Sequence, residues 1–279
     1  MATNAAYDAI FDKIVQALEA GVIPWKQPWN TVRPCNAKTG RAYNGINFFV
    51  LSMSKFSDPR WMTYNQAREL GGIVRKGEKA TPIVFWTIIK KGDKATGDEK
   101  TFPVLKYFNV FNVEQIDGLE LEPLAENTPK DTIESAELIV SGYADMPAVN
   151  KSQRAAYSPS QDVIMMPEMA AFKTSEDYYA TLFHEMAHST GHESRLNRKL
   201  DTSFGNENYS QEELVAEFTS AMLCSVAGID NTLNESAAYI SGWLKALKND
   251  KSLLVHAASK AQKAADYILN PADETETAE

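Results

Sequence analysis

Thr181-Leu182-Phe183-His184-Glu185-Met186-Ala187-His188-Ser189-Thr190-Gly191-His192 is the stretch on which the reading of this chain turns. Residues four apart lie over one another on a helix, so His184 and His188 can direct both imidazoles at one metal ion. Glu185 projects about 100° around the helix from His184, within reach of a metal-bound water without being a ligand. A zinc ion held in this way lowers the pKa of that water to about 7, and a neighbouring carboxylate can take its proton. Three of the chain's four histidines (His184, His188, His192) fall inside nine residues, which argues against chance. Thr174 or Ser175, followed by Glu176 and Asp177, supplies an N-cap and first-turn acids for the helix. Tyr178, Tyr179, Leu182, Phe183 and Met186 give it a face to bury, and Gly191 a stop.

Two histidines do not complete a catalytic centre, which needs three protein ligands and an open position. Candidates come from Ser210-Gln211-Glu212-Glu213-Leu214-Val215-Ala216-Glu217-Phe218, the start of a second helix expected to run to about Ala227. Glu213 and Glu217 lie one turn apart on the same face. The order of motifs resembles zincin peptidases of the glutamate type, whose ligand Glu lies on such a downstream helix with a supporting acid four residues later. That resemblance assigns Glu213 to the metal and Glu217 to a place behind a ligand histidine. Glu217 and His192 stand as rival ligands. Ser210-x-x-Glu213 also reads as a capping box, which would give Glu213 a structural task. His192 follows the second motif histidine by four residues, where the metzincin pattern needs six. It is read instead as a catalytic polar group beside the centre that stabilises an oxyanion or contacts substrate. Zinc is the expected cofactor, with manganese or another divalent ion as the alternative.

The chain has 279 residues, 44% hydrophobic and 23% charged, so two soluble globular domains are expected. No run of about 18 apolar residues exists to span a membrane, and Met1-Ala2-Thr3-Asn4 lacks the start of a signal peptide. Cys35 and Cys224, far apart in sequence, suit a reducing compartment, so cytoplasm is the expected location. The net charge of −9 hides an asymmetry. Residues 20–106 hold 15 Lys and Arg against 6 Asp and Glu, whereas residues 128–279 hold 12 against 23. A basic half inside an acidic chain points to a polyanion partner.

That half begins with a helix over residues 4–20, on the spacing of Tyr7, Ile10, Phe11, Ile14, Val15 and Leu18. Next comes Val22-Ile23-Pro24-Trp25-Lys26-Gln27-Pro28-Trp29-Asn30, where two prolines forbid helix and two tryptophans flank a lysine, with Arg33 following. Aromatic rings interleaved with cations are what a single-strand groove uses, since unpaired bases offer their faces for stacking. The competing reading buries either tryptophan in a core. Lys38-Thr39-Gly40-Arg41 reads as a turn presenting two cations, and Tyr43 and Asn47 as stacking and hydrogen-bonding groups. Phe48 to Leu51 return to a core helix. Thr63 caps a short helix closed by Gly71-Gly72, and Ile73 to Lys79, with Arg75, Lys76 and Lys79, is a basic hairpin candidate. Residues 82–89 and 102–113 read as antiparallel strands around a charged loop. Pro123 and Pro129 sit in the acidic segment 118–131, the expected domain boundary. Beyond it come a helix over 133–141 and a two-stranded ribbon from 155–159 and 162–167. Zincin-type peptidases bind an extended substrate on strands ahead of the metal helix. Helices over 239–247 and 253–269 read as scaffold.

Read together, these strings resemble the ArdC antirestriction family of plasmid-borne proteins across nearly the whole chain. The resemblance rests on Ile23-Pro24-Trp25-Lys26-Gln27-Pro28-Trp29, on 36–47, on 71–79, on Tyr107 to Val113, and on 181–192, Arg195-Leu196 and 212–217. It implies an α+β fold of two domains. Residues 1–125 would form a single-stranded-DNA-binding domain with a small antiparallel sheet. Residues 132–270 would form a mainly helical zincin-like metallopeptidase domain, and 271–279 an acidic tail without fixed structure. It also implies protection of incoming plasmid DNA from host restriction during conjugation. The DNA-contacting set is then Trp25, Lys26, Trp29, Arg33, Lys38, Arg41, Tyr43, Asn47, Arg75, Lys76 and Lys79, with double-stranded DNA a further partner. Two alternatives stay open at this point: a DNA-binding shield with a structural metal, and a DNA-dependent protease acting on DNA-bound proteins. The protein substrate of such a protease is not readable from the residues.

Overall fold

Two runs rich in β-branched and aromatic residues form the longest ladder among the described residues. In a computed structural model, which describes residues 5–26, 33–92, 99–124, 132–198, 200, 207–229 and 237–269, Thr81–Gly92 (β4) pairs antiparallel with Glu99–Asn112 (β5). Arg60–Thr63 (β2) adds to the other side of β5, and Cys35–Asn36 (β1) runs parallel to β2, giving the order β1-β2-β5-β4. This sheet, with helices Ile46–Ser52 (α2) and Tyr64–Glu69 (α3), belongs to a compact unit of Met1–Ile14 and Pro34–Pro123. Helix Ala5–Glu19 (α1) contributes its first part to this unit and its last turns to the second.

The first unit's core has two parts. Tyr43, Leu51, Trp61, Ile83 and Val110 are buried together on one side, and Met62, Ala67, Val113 and Ile116 on the other. Residues 61 and 62 alternate between the two because successive strand side chains face opposite ways. Thr63 caps α3 through a reciprocal box with Gln66, whose backbone N–H donates to Thr63 Oγ1 at 3.3 Å. The basic hairpin expected over 73–79 does not form by itself. Ile73–Val74 (β3) pairs with the distant Ile116–Asp117 (β6), and Gly77 takes the positive φ of 89° in the turn that follows β3. Local turn residues were legible there, but the strand's partner lies some forty residues away in sequence.

The second unit comprises Val15–Arg33 and Leu124–Glu279. It holds Thr132–Gly142 (α4), Ser175–Ser189 (α5), Glu207–Ala227 (α6), Ala237–Asn249 (α7) and Leu253–Leu269 (α8). Alongside these helices lies a three-stranded sheet of order β7-β9-β8, from Ala148–Lys151 (β7), Ala156–Ser158 (β8) and Val163–Met166 (β9). β8 and β9 are the expected ribbon. β7, parallel to β9, was not expected, because all four of its residues are exposed and carry no hydrophobic alternation. Helix α6 is buried on nearly every side, including Leu214, Val215, Phe218, Met222 and Leu223. A helix without a solvated face is the centre of its domain. Among the described residues no helix is long and apolar enough to cross a membrane.

Candidate metal centre

Helix α5 starts where Thr174 Oγ1 accepts the Asp177 backbone N–H at 3.1 Å, with Glu176 and Asp177 in its first turn. Tyr179, Leu182, Phe183 and Met186 bury one face and thereby fix where His184 and His188 point. Their Nε2 atoms lie 3.1 Å apart, converging on one point. Helix α6 lies against α5, tied by the Ser220 hydroxyl donating to the Ala180 carbonyl at 2.9 Å. This brings Glu213 to the same point, its Oε2 3.5 Å from His184 Nε2 and its Oε1 3.5 Å from His188 Nε2. All three donor atoms lie within 4.8 Å of one another. A tetrahedral centre with bonds of about 2.0–2.1 Å has ligand–ligand edges of about 3.3–3.4 Å, close to the 3.1 Å between the two Nε2 atoms and the 3.5 Å from each of them to a Glu213 oxygen. Helix α6 begins at Glu207, ahead of Ser210. Ser210 is therefore inside the helix, and the capping-box alternative for Glu213 does not apply.

Each histidine has a carboxylate behind it. Glu217 Oε1 stands 3.1 Å from His184 Nδ1, and Glu212 Oε1 stands 3.6 Å from His188 Nδ1. Burial alone would lower the pKa of His184, yet Glu213 and Glu217 overcome this and hold it well above the ordinary value. Burial likewise works to raise the Glu212 carboxyl, but His188 and Arg198 outweigh it and keep it below the usual range. Arg198 donates from Nε and Nη2 to the two oxygens of Glu212, and from Nη1 to Thr190 Oγ1. Glu212 and Arg198 were missed in the sequence. The signal for Glu212 was its place one residue before Glu213, five residues from Glu217. Gly191 was expected only to stop α5. A Cβ there would meet Leu200 Cδ2 at 2.5 Å and Arg198 Nη2 at 3.1 Å, so the glycine makes room for this crossing.

Glu185 is nearly buried on α5. His192 stands outside the three-residue group; its Nδ1 lies 2.8 Å from Ser194 Oγ. Arg195, in the same turn region, donates from Nη1 and Nη2 to both oxygens of Asp162, and Tyr157 on β8 donates to the same carboxylate at 2.7 Å. The end of the metal-site segment is thus tied to the sheet.

The expected DNA contacts divide. Trp25 is 1% exposed, packed edge-on against Phe218 at 4.8 Å and Trp243 at 5.3 Å, so it is core of the second unit rather than a stacking platform. Arg33 is partly buried in the same unit and donates to Gln262 Oε1 at 3.3 Å. Tyr43 is buried with its hydroxyl beside Asn36 Nδ2, and Asn47 is buried against β4, so neither offers a surface contact. Arg33, Tyr43 and Asn47 each have a partner for their polar group, whereas Trp25 is held by ring packing, its buried Nε1–H having no hydrogen-bond partner among the described residues. Lys38 is exposed and paired with Glu69, while Arg75 is exposed and bonded to Asp117 and Glu78. Arg41, Lys76 and Lys79 are exposed. Trp29 and the Lys26 side chain lie outside the described residues, as does the acidic tail.

Comparison with known proteins agrees with both halves. A family model of zincin-like metallopeptidases matches residues 134–260, and one of the N-terminal domain of anti-restriction factor ArdC matches residues 4–111. The fold and site thus define a two-domain protein joining an ArdC-type N-terminal domain to a zincin-like domain. A crystal structure of the antirestriction ArdC protein from plasmid R388, metal-free, is similar at a TM-score of 0.79 and 39% identity, covering 94% of this chain and 96% of that one. The Mn(II)-bound structure of the same protein matches at 0.78 and 37%, covering 97% and 99%. This chain belongs to the ArdC antirestriction family. It is also 39% and 38% identical, over 94% of its length, to two DNA primases TraC of Escherichia coli, but spans only 20% and 27% of theirs. An uncharacterized protein, y4eC, of Sinorhizobium fredii (strain NBRC 101917 / NGR234) is 33% identical, with 91% of it covered.

Proposed function

We propose that this chain is a plasmid antirestriction protein that binds single-stranded DNA through its first unit, protects incoming conjugative DNA, and holds one divalent metal ion at His184, His188 and Glu213. The observation that carries the reading is the convergence of two Nε2 atoms and one carboxylate within 4.8 Å in a member of this family. Three nitrogen and oxygen donors on one tetrahedral face favour zinc. Manganese is the second choice, because a relative's crystal structure is Mn(II)-bound.

The bound metal would supply Lewis acidity to a water and to a peptide carbonyl. The chain's own residues do the rest. Glu185 serves as general base: its carboxylate accepts the proton of the attacking water and can return it to the departing amine. Glu217 accepts from the Nδ1–H of His184, and the Glu212 carboxylate faces Nδ1 of His188 at 3.6 Å, so both favour rings turned with Nε2 toward the centre. The nearly buried setting of Glu185 keeps competing water away from that proton.

The test is plasmid transfer into a restricting recipient, comparing wild type with Glu185→Ala at matched protein levels. Lost protection with the variant supports metal-centred hydrolysis as part of the function. Undiminished protection assigns the function to DNA binding, with the metal as scaffold. Absence of protection by wild type would refute the antirestriction reading.

A further inference from the structure

We infer that unpaired DNA stacks its bases on Phe85 and Phe108, a pair of rings on one face of the β4–β5 ladder, with Lys106 beside them for the phosphates. The inference rests on the DNA-binding reading above and names its surface. Phe85 is 45% exposed and Phe108 44%, and their rings meet edge to face with centroids 5.6 Å apart. Two neighbouring phenylalanines left in water form an apolar patch of the kind that marks a binding site.

The register puts the three residues on one side of the sheet. Phe85 pairs with Lys106, and Phe108 pairs with Ile83, two residues from Phe85. Cross-strand partners share a face, as do residues two apart on a strand. That face continues into the buried cluster of Ile83, Val110, Trp61 and Tyr43, so the exposed rings stand at the margin of a packed core. The Tyr43 ring lies 6.5 Å from Phe85 and backs it. Asn47 fixes the strand next to Phe85: its Nδ2 donates to the Val84 carbonyl at 2.7 Å, and its Oδ1 accepts the Val84 N–H at 2.8 Å. The platform is therefore built in advance of any ligand.

Charge selects the occupant. Residues 20–108, which contain the platform, hold 15 basic against 6 acidic residues. Lys106 is exposed, and among the described residues no carboxylate pairs with it, in contrast to Lys38 and Arg75. Flat rings beside cations suit a strand whose bases are free to stack, and a duplex hides those base faces.

The experiment is fluorescence anisotropy of the full chain with a labelled oligothymidylate of about 20 nucleotides, the length of a few stacking sites. Variants are Phe85→Ala with Phe108→Ala, the same pair changed to Leu, and the pair changed to Tyr. Melting curves check the fold. The Leu pair keeps apolar volume without a π-face, so it reports stacking even where the Ala pair destabilises the sheet. We expect at least about a tenfold weaker Kd for the Ala and Leu pairs and a change under about threefold for the Tyr pair, on the usual worth of base stacking. Wild-type affinity in the Leu pair overturns the platform while leaving DNA binding intact. No binding by wild type overturns the DNA-binding reading itself. Unchanged DNA affinity with loss of a dimer in sedimentation would assign the patch to a second copy, which also overturns the inference.

Discussion

Arg198 grips Glu212 at two points, Nη2 to Oε1 at 2.7 Å and Nε to Oε2 at 3.1 Å, and the same carboxylate faces Nδ1 of His188 at 3.6 Å. An arginine fork aligned on a carboxylate fixes its plane. The ring of His188 is thereby oriented from behind by a side chain that does not itself reach the centre. Glu217 performs the same office for His184, its Oε1 standing 3.1 Å from Nδ1.

Removing this support should weaken the centre without abolishing it. We expect Arg198→Ala and Glu212→Gln each to lower metal affinity about 10–100-fold, the usual cost of losing a group behind a ligand histidine. Competition titration with a chromophoric chelator measures it. Unchanged affinity in both variants would show that His188 is held by packing alone.

Trp25 gives a second prediction. Its ring fills the space between Phe218 and Trp243, so Trp25→Ala should cost about 3–5 kcal/mol of stability, as truncation of a buried aromatic does. Urea unfolding reads this directly, and single-strand affinity measured well below the transition should be close to wild type. A full-strength fold with weakened DNA binding would restore the stacking role that the sequence suggested.

Much of the chain was legible because its signals are local. The capping residues Thr63 and Thr174 and the apolar spacing in α5 mark their elements within a few residues. His184 and His188 were legible for the same reason, since one helix turn brings them together. Glu213 required the order of motifs along the chain. Arg198 could not be found this way, because nothing in its neighbourhood announces that Gly191 lets it cross to Glu212. The aromatic signals misled in a consistent direction. Trp25 and Tyr43 look like ligand groups in sequence, yet both rings are buried, while Phe85 and Phe108, which read as ordinary strand residues, are exposed.

Asn47 should prove structural. Its amide satisfies both the N–H and the carbonyl of buried Val84 on the open edge of β4. Asn47→Ala leaves both groups without that partner and should cost about 1–3 kcal/mol. Thermal unfolding tests this; a loss below a few tenths of a kcal/mol would mean that water replaces the amide at no expense.

Asp162 predicts a pH signature. The hydrogen bonds from Arg195 depress its carboxyl below the ordinary value of 3.8, aided by the Tyr157 hydroxyl. A carboxyl depressed on folding stabilises the native state above its unfolded pKa and loses that contribution as pH falls through the folded value. Asp162→Asn should therefore be less stable than wild type at pH 6, with the gap closing as pH falls below about 4. A gap that stays constant across that range would contradict a titrating role.

The central claim is that His184, His188 and Glu213 hold one divalent ion. The direct measurement is metal content by mass spectrometry after dialysis against trace zinc or manganese, for wild type, Glu213→Ala and His192→Ala. The account predicts one ion per chain in wild type and His192→Ala, with loss in Glu213→Ala. Retention in Glu213→Ala together with loss in His192→Ala would contradict it and move the third ligand to His192.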